Sequence, residues 1–353
     1  MIDILNNILL YISGLYTLPW ILVGFIVTIF IAKIIGREKI DKIMKKIGLI
    51  LLYFFIPVLV FRIFLNTDFG QKQIEFAIIV SIIVFFMYLI AFVFAEYKAN
   101  NWNFNDKKKR LFIKTVLTNQ GRSSAFIGGA LLASPWKVEA AIYIALVGIA
   151  LFAIIPYILS YMHKKESKKN DIEQVKALPW YLKIYPWYLI AYVICAVGVH
   201  ASTSITTKDF GYELETIVIF YSAITIPAAL YYVGAGIHPS DLKISELKKL
   251  FGLHKSNEKG DHWDWVRNIF TITVIITPIL TVLIFYPIFV IGMISNSWFA
   301  VIMINSILPI TSTNMFLLPY GIDKKSTAHS VTWTTIVCVP IVVILITAFG
   351  LYL

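Results

Sequence analysis

The sequence predicts an all-α membrane protein of ten transmembrane helices, arranged as two inverted five-helix repeats with broken, crossing helices at positions four and nine. Three observations predict it. Of the 353 residues, 59% are hydrophobic and only 14% charged, outside the composition of an ordinary soluble domain. Apolar stretches of about 20 residues, the length that spans roughly 30 Å of hydrocarbon, recur along the chain. Two of those stretches carry dense polar runs, Asn119-Gln120-Gly121-Arg122-Ser123-Ser124 and Asn305-Ser306-Ile307-Leu308-Pro309-Ile310-Thr311-Ser312-Thr313-Asn314.

The spans fall near 17–35, 47–65, 74–96, 111–133, 138–162, 184–205, 214–236, 267–290, 297–319 and 328–352. Basic residues fill alternate loops. The first loop has Lys33, Arg37, Lys39, Lys42, Lys45 and Lys46; the third has Lys98, Lys107, Lys108, Lys109, Arg110 and Lys114. The fifth and seventh are equally basic, and the ninth has Lys324 and Lys325, whereas the loops between hold at most Arg62 and Lys72, Lys137 or Lys208. The positive-inside bias then puts odd-numbered loops in the cytoplasm and both termini outside, as in a multi-pass plasma-membrane protein. No N-x-[Ser/Thr] sequon occurs, which fits a prokaryotic membrane. The N-terminal stretch lacks a basic leader, so the first span is expected to be retained. A net charge of +11 divided among these loops serves orientation and contact with anionic lipid, and nucleic acid is not implied.

Fragments of the first half recur in the second. Ile56-Pro57-Val58-Leu59 is answered by Ile226-Pro227-Ala228-Ala229, and Asn119 by Asn305. The first repeat is expected over 1–162 and the second over 184–353, joined by a cytoplasmic linker over 163–183. An odd number of spans per repeat makes the second copy enter from the opposite side, giving a pseudo-twofold axis in the membrane plane. Pro57, Pro156, Pro227, Pro278 and Pro340 are expected to kink the helices around the centre. An interrupted backbone in hydrocarbon costs several kcal/mol for each unsatisfied group, so breaks at spans four and nine should line a ligand site.

Arg122 is the most informative residue. It lies about eleven residues into span four, roughly 16 Å of helical rise, too deep for simple snorkelling. No acidic residue occurs in the central part of any span. Arg122 therefore meets either an anionic ligand or helix-end carbonyls. Asn119, Gln120, Ser123 and Ser124 supply donors and acceptors beside it, with Gly121 as the break and Gly128 and Gly129 as packing residues. In span nine Pro309 opens the helix near residues 305–309, beside Asn305. Thr311, Ser312, Thr313 and Asn314 then either cap a new half-helix or touch substrate. Half-helix N-termini at the two breaks would suit a carboxylate.

Cys195 and Cys338 lie in apolar stretches outside any CxxC pair, so no metal site is expected; His200 and His329 read as interfacial hydrogen-bonding groups. Neutral oxygens of Asn119, Gln120, Ser123, Thr313 and Asn314 could still serve Na⁺. HExxH, Walker and GxSxG sequences are missing, so the chain does not read as an enzyme and needs no resident cofactor. With no nucleotide site, transport would be driven by a gradient, with Na⁺ or H⁺ coupling open.

The chain resembles the auxin efflux carrier family, related in fold to bile acid:sodium symporters. The resemblance rests on 54–61 (Phe-Phe-Ile-Pro-Val-Leu-Val-Phe), Asn119-Gln120-Gly121, 226–234 (Ile-Pro-Ala-Ala-Leu-Tyr-Tyr-Val-Gly) and Leu318-Pro319-Tyr320-Gly321-Ile322-Asp323. It implies a scaffold domain of spans 1, 2, 6 and 7, a transport domain of spans 3–5 and 8–10, and a homodimer. It also implies elevator-like transport of a small organic anion, with Asn119 and the polar run after Pro309 at the places where family members hold substrate. Plant members have a proline at the span-four break, where this chain has Gly121-Arg122-Ser123. A sodium-coupled symporter of the bile-acid type, and an anion channel or membrane sensor, are the alternatives.

Overall fold

The computed structural model describes residues 19–68, 70–123, 136–169, 180–237, 239–252, 260–311, 314, 317–318 and 320–352. Every regular element among them is helical. In order they are α1 (Trp20–Ile35), α2 (Arg37–Leu65), α3 (Gln71–Asn101), α4 (Asp106–Thr118), α5 (137–169) and α6 (Trp180–Thr203). There follow α7 (Tyr212–Gly236), α8 (Ile244–Leu250), α9 (His262–Val290), α10 (Asn296–Ser306) and α11 (Lys324–Tyr352). Among the described residues α2, α3, α7, α9 and α11 are long and apolar enough to cross a membrane. Their outer faces are apolar: Ile78, Phe85 and Val93 of α3 and Leu283 and Val290 of α9 are exposed, as lipid-facing side chains would be.

Two sets of basic residues differ from their expected setting. Those from Arg37 to Lys46 lie on the first turns of α2, because Gly36 takes a positive φ of 85° and lets a new helix start at once after α1. Lys114, grouped above with a basic loop, is 2% exposed near the end of α4 and donates to the Tyr320 carbonyl at 3.3 Å. Lys107 to Arg110, one to two turns earlier, are charged, but the helical face of Lys114 is buried.

Among the described residues, three helices contain a π turn just ahead of a proline: Leu51–Phe55 before Pro57, Ala150–Ile154 before Pro156, and Thr271–Ile276 before Pro278. A proline removes one amide donor and its ring collides with a carbonyl one turn back, and a wider turn relieves that collision. The loosened carbonyls then accept side-chain donors. Tyr188 Oη donates to the Tyr53 carbonyl at 3.0 Å, and Thr225 Oγ1 to the Phe55 carbonyl at 3.1 Å.

The chain forms two compact units. The first comprises the described residues within 1–78, 124–153 and 181–236. Its tightest contact is α1 against α7. A Cβ on Gly24 would lie 2.1 Å from the Tyr231 carbonyl oxygen, and one on Gly234 would lie 1.9 Å from that of Ile21. Backbones approach that closely in a membrane bundle only where side chains are absent.

The second unit comprises the described residues within 79–123, 154–180 and 237–353. Ala91, Ala95 and Ala99 repeat every fourth residue on α3, all 0% exposed, and let α3 pack against Phe112 and Val116 of α4 and Trp265 and Ile269 of α9. Helices leading to and from its centre are capped by side chains. Asn105 accepts from the Lys108 amide at 2.8 Å, Asp261 from that of Asp264 at 2.8 Å, and Asp323 from that of Ser326 at 2.7 Å.

Candidate functional site

Within the second unit, α4 ends at Thr118 and α10 at Ser306, and the extended residues that follow them run antiparallel to one another. Arg122 and Ile310 form the bridge. The Ser123 amide donates to the Pro309 carbonyl at 2.9 Å, and the Thr311 amide to the Gly121 carbonyl at 3.0 Å. Each break thus satisfies backbone groups of the other. Pro309, which has no amide hydrogen, contributes the one group it can.

A buried polar belt surrounds this crossing. Asn119, Gln120, Arg122, Asn305 and Asn314 are all 0% exposed, Ser123 is 1% and Thr311 is 6%. Three of the amide side chains share one habit. Asn119 Nδ2 donates to the Thr115 carbonyl at 2.7 Å, Gln120 Nε2 to that of Val116 at 3.3 Å, and Asn305 Nδ2 to that of Val301 at 2.6 Å. Each ties its nitrogen back to its own helix. That leaves Asn119 Oδ1, Gln120 Oε1 and Asn305 Oδ1 buried with no partner among the described residues, as are Ser123 Oγ and both side-chain polar atoms of Asn314. Leaving a buried polar atom unsatisfied costs about 1–3 kcal/mol, so such a concentration at one place marks a site where water, an ion or a ligand completes the bonding.

Arg122 donates from Nη2 to the Thr273 carbonyl at 3.3 Å, in the π turn ahead of Pro278. The sequence left open whether it meets a ligand or backbone carbonyls. The carbonyl contact is present, and it comes from a helix interior loosened by proline. Lys114 is the second enclosed cation of this unit, and no Asp or Glu is buried among the described residues.

Several contributors were not singled out from the sequence. Thr327 Oγ1 accepts from Asn119 Nδ2 at 3.1 Å, and Thr334 Oγ1 accepts the Ile310 amide at 3.1 Å. Both belong to a stripe on α11, Thr327, Ser330 and Thr334, buried at helical spacing against the crossing. That spacing was the available signal. Tyr320 and Asp323 have structural tasks: Gly321 takes a φ of 77°, and the turn sets the Tyr320 carbonyl on Lys114 and Asp323 at the head of α11.

Not every residue singled out from the sequence is among those described. Ser124, Gly128, Gly129, Ser312 and Thr313 lie outside the described residues. The half-helix expected after Pro309 falls partly outside the described residues; of those described, 314, 317, 318 and 320 are in 3₁₀ conformation, with the Asn314 amide donating to the Thr311 carbonyl at 3.2 Å. Among the described residues, the α-helical ends at the crossing are the carboxyl ends of α4 and α10, which present carbonyls. No protein-family model matches the chain, and no curated protein matches it.

Proposed function

We propose that the chain is a secondary active transporter or facilitative carrier that moves a small organic carboxylate anion by elevator-like alternating access. In this reading ten spans form two inverted repeats in the plasma membrane of a prokaryote, with both termini outside, and the chain is a divergent member of the auxin efflux carrier family. The observation that carries it is the antiparallel crossing of two interrupted, polar segments beside enclosed Arg122 and Lys114. Polar breaks of this kind persist in a membrane protein where they face a ligand cavity. The enclosed cations would favour a negative guest, and the amide and hydroxyl groups of Asn119, Ser123, Asn305 and Asn314 can orient it. The second unit, which holds the crossing, would carry the substrate.

The test is exchange of radiolabelled malate, malonate and an aromatic carboxylate in proteoliposomes. A carrier gives saturable uptake stimulated by unlabelled substrate on the far side, whereas a channel gives currents without counterflow. Arg122→Gln is expected to lower uptake by about ten- to a hundredfold, the worth of a charged hydrogen bond. Undiminished uptake would remove Arg122 from the site.

One observation favours a second reading, sodium coupling. The four amide oxygens without a partner among the described residues, of Asn119, Gln120, Asn305 and Asn314, and the carbonyl ends of α4 and α10 suit a cation better than an anion. Equal transport in Na⁺ and K⁺ would refute it.

A further inference from the structure

We propose that His262 and His329 form a one-proton binding site at the heads of α9 and α11, linked through the first turn of α11 to Asn119. The two imidazoles meet edge to face with centroids 4.9 Å apart, and His262 Nε2 lies 3.1 Å from His329 Nδ1. Only one proton fits on that nitrogen–nitrogen line. His262 Nδ1 lies 3.0 Å from Ser326 Oγ, and His329 Nδ1 also lies 3.0 Å from the Lys325 carbonyl. With both rings neutral all these contacts are compatible. The His329 Nδ1 hydrogen is shared between the carbonyl and His262 Nε2, while His262 Nδ1 donates to Ser326. A proton taken from water onto His262 Nε2 sets one N–H against another and separates the rings.

Charged groups of both signs face the pair. Asp261 stands at the head of α9; Asp323, whose carboxylate is 4.0 Å from His262 Nδ1, and Lys325 stand at the head of α11. From α8 the ion-paired Lys249 and Glu246 approach, with Lys249 Nζ 5.8 Å over the Trp263 ring. Burial opposes the added proton on His262 most, followed by the neighbouring His329 and Lys325, while Asp323 and Asp261 favour it.

The link to the crossing is a short chain of bonds. The Ser326 amide donates to Asp323 Oδ1 at 2.7 Å, and the Asp323 amide to Thr115 Oγ1 at 2.9 Å. Thr327 Oγ1 donates to the Asp323 carbonyl at 2.8 Å and accepts Asn119 Nδ2 at 3.1 Å. Ser326 and Thr327 are adjacent, one held by the histidine pair and the other holding Asn119. Protonation loosens the first and thereby the second, so acid slows transport. This consequence rests on the carrier reading; the proton site itself does not.

Trp263 reports on the site directly, since its ring lies 5.5 Å from His262 and 5.0 Å from His329 between centroids, and a protonated imidazole quenches indole fluorescence. The measurement uses the full chain in detergent, with the Trp263→Phe variant subtracted. The expected result is a one-proton transition as the pH falls from about 8 to about 4, moved in midpoint by His262→Gln and by His329→Gln and lost only when both are replaced. Absence of the transition, its survival in the double variant, a midpoint unmoved by either single replacement, or a two-proton slope would overturn the site. In proteoliposomes the logarithm of the exchange rate should fall with slope one on the acid side, and this limb should vanish in His262→Gln with the alkaline rate kept. An unchanged acid limb in that variant overturns the link to Asn119. No exchange at any pH, with the fluorescence transition intact, overturns the carrier reading and leaves the proton site standing.

Discussion

Replacing one hydroxyl tests whether the crossing is held as described. The Ile310 amide, inside the span-nine break, donates to Thr334 Oγ1 at 3.1 Å, and both residues are 0% exposed. Thr334→Val keeps the shape of the side chain and removes the acceptor. The second bond of this hydroxyl, to the Ser330 carbonyl at 2.7 Å, goes to a group already within α11, so its loss matters less. A buried amide without a partner costs about 1–3 kcal/mol. At about 3 °C per kcal/mol, the figure for large domains, the apparent Tm should fall by about 3–9 °C. Tryptophan scanning fluorimetry in detergent reads this, and Thr334→Ser, which restores the hydroxyl, should recover most of the loss. A valine variant within about 1 °C of the parent, less than the smallest expected shift, would refute the assignment of this bond to the crossing.

Three further outcomes follow from the same structure. Asn105→Ala removes the side-chain cap of α4 and should cost about 1 kcal/mol, visible as a Tm lower by about 2–4 °C. Gly234→Ala should destabilise by about 1–3 kcal/mol, because its Cβ meets the Ile21 carbonyl at 1.9 Å and α1 must move; scanning fluorimetry again decides. Lys114→Met should raise the KM for the organic anion in the exchange assay while shifting Tm by no more than about 3 °C, since an apolar chain replaces an enclosed charge at the cost of one bond to the Tyr320 carbonyl.

The sequence made the breaks legible because their residues contradict their surroundings. Gly121 and Pro309 interrupt stretches otherwise fit for continuous helix, and α4 and α10 end within a few residues of them. The register of the crossing was not legible. The internal match aligns Asn119 with Asn305 and hence Arg122 with Leu308, whereas the bridge joins Arg122 to Ile310, a register set by backbone geometry. The α11 stripe escaped notice for another reason. Thr327, Ser330 and Thr334 are small, and Thr327 and Thr334 bond back to backbone carbonyls one turn earlier, so threonine and serine look ordinary in an apolar span. Lys114 was hidden by its neighbours Lys107, Lys108, Lys109 and Arg110, because a linear count of basic residues ignores which helical face each occupies. The π turns were legible only as prolines, and their use, releasing carbonyls for Tyr188, Thr225 and Arg122, requires the tertiary partner.

The most direct test of the central claim is cryo-electron microscopy of the protein in lipid nanodiscs with the organic acid that exchanges best. The account predicts a carboxylate density in the second unit beside the crossing, within hydrogen-bonding distance of Asn119, Ser123 or Asn314 and on the Arg122 side. A continuous helix through residues 119–123 or 307–311, or a ligand bound away from the crossing, would contradict it.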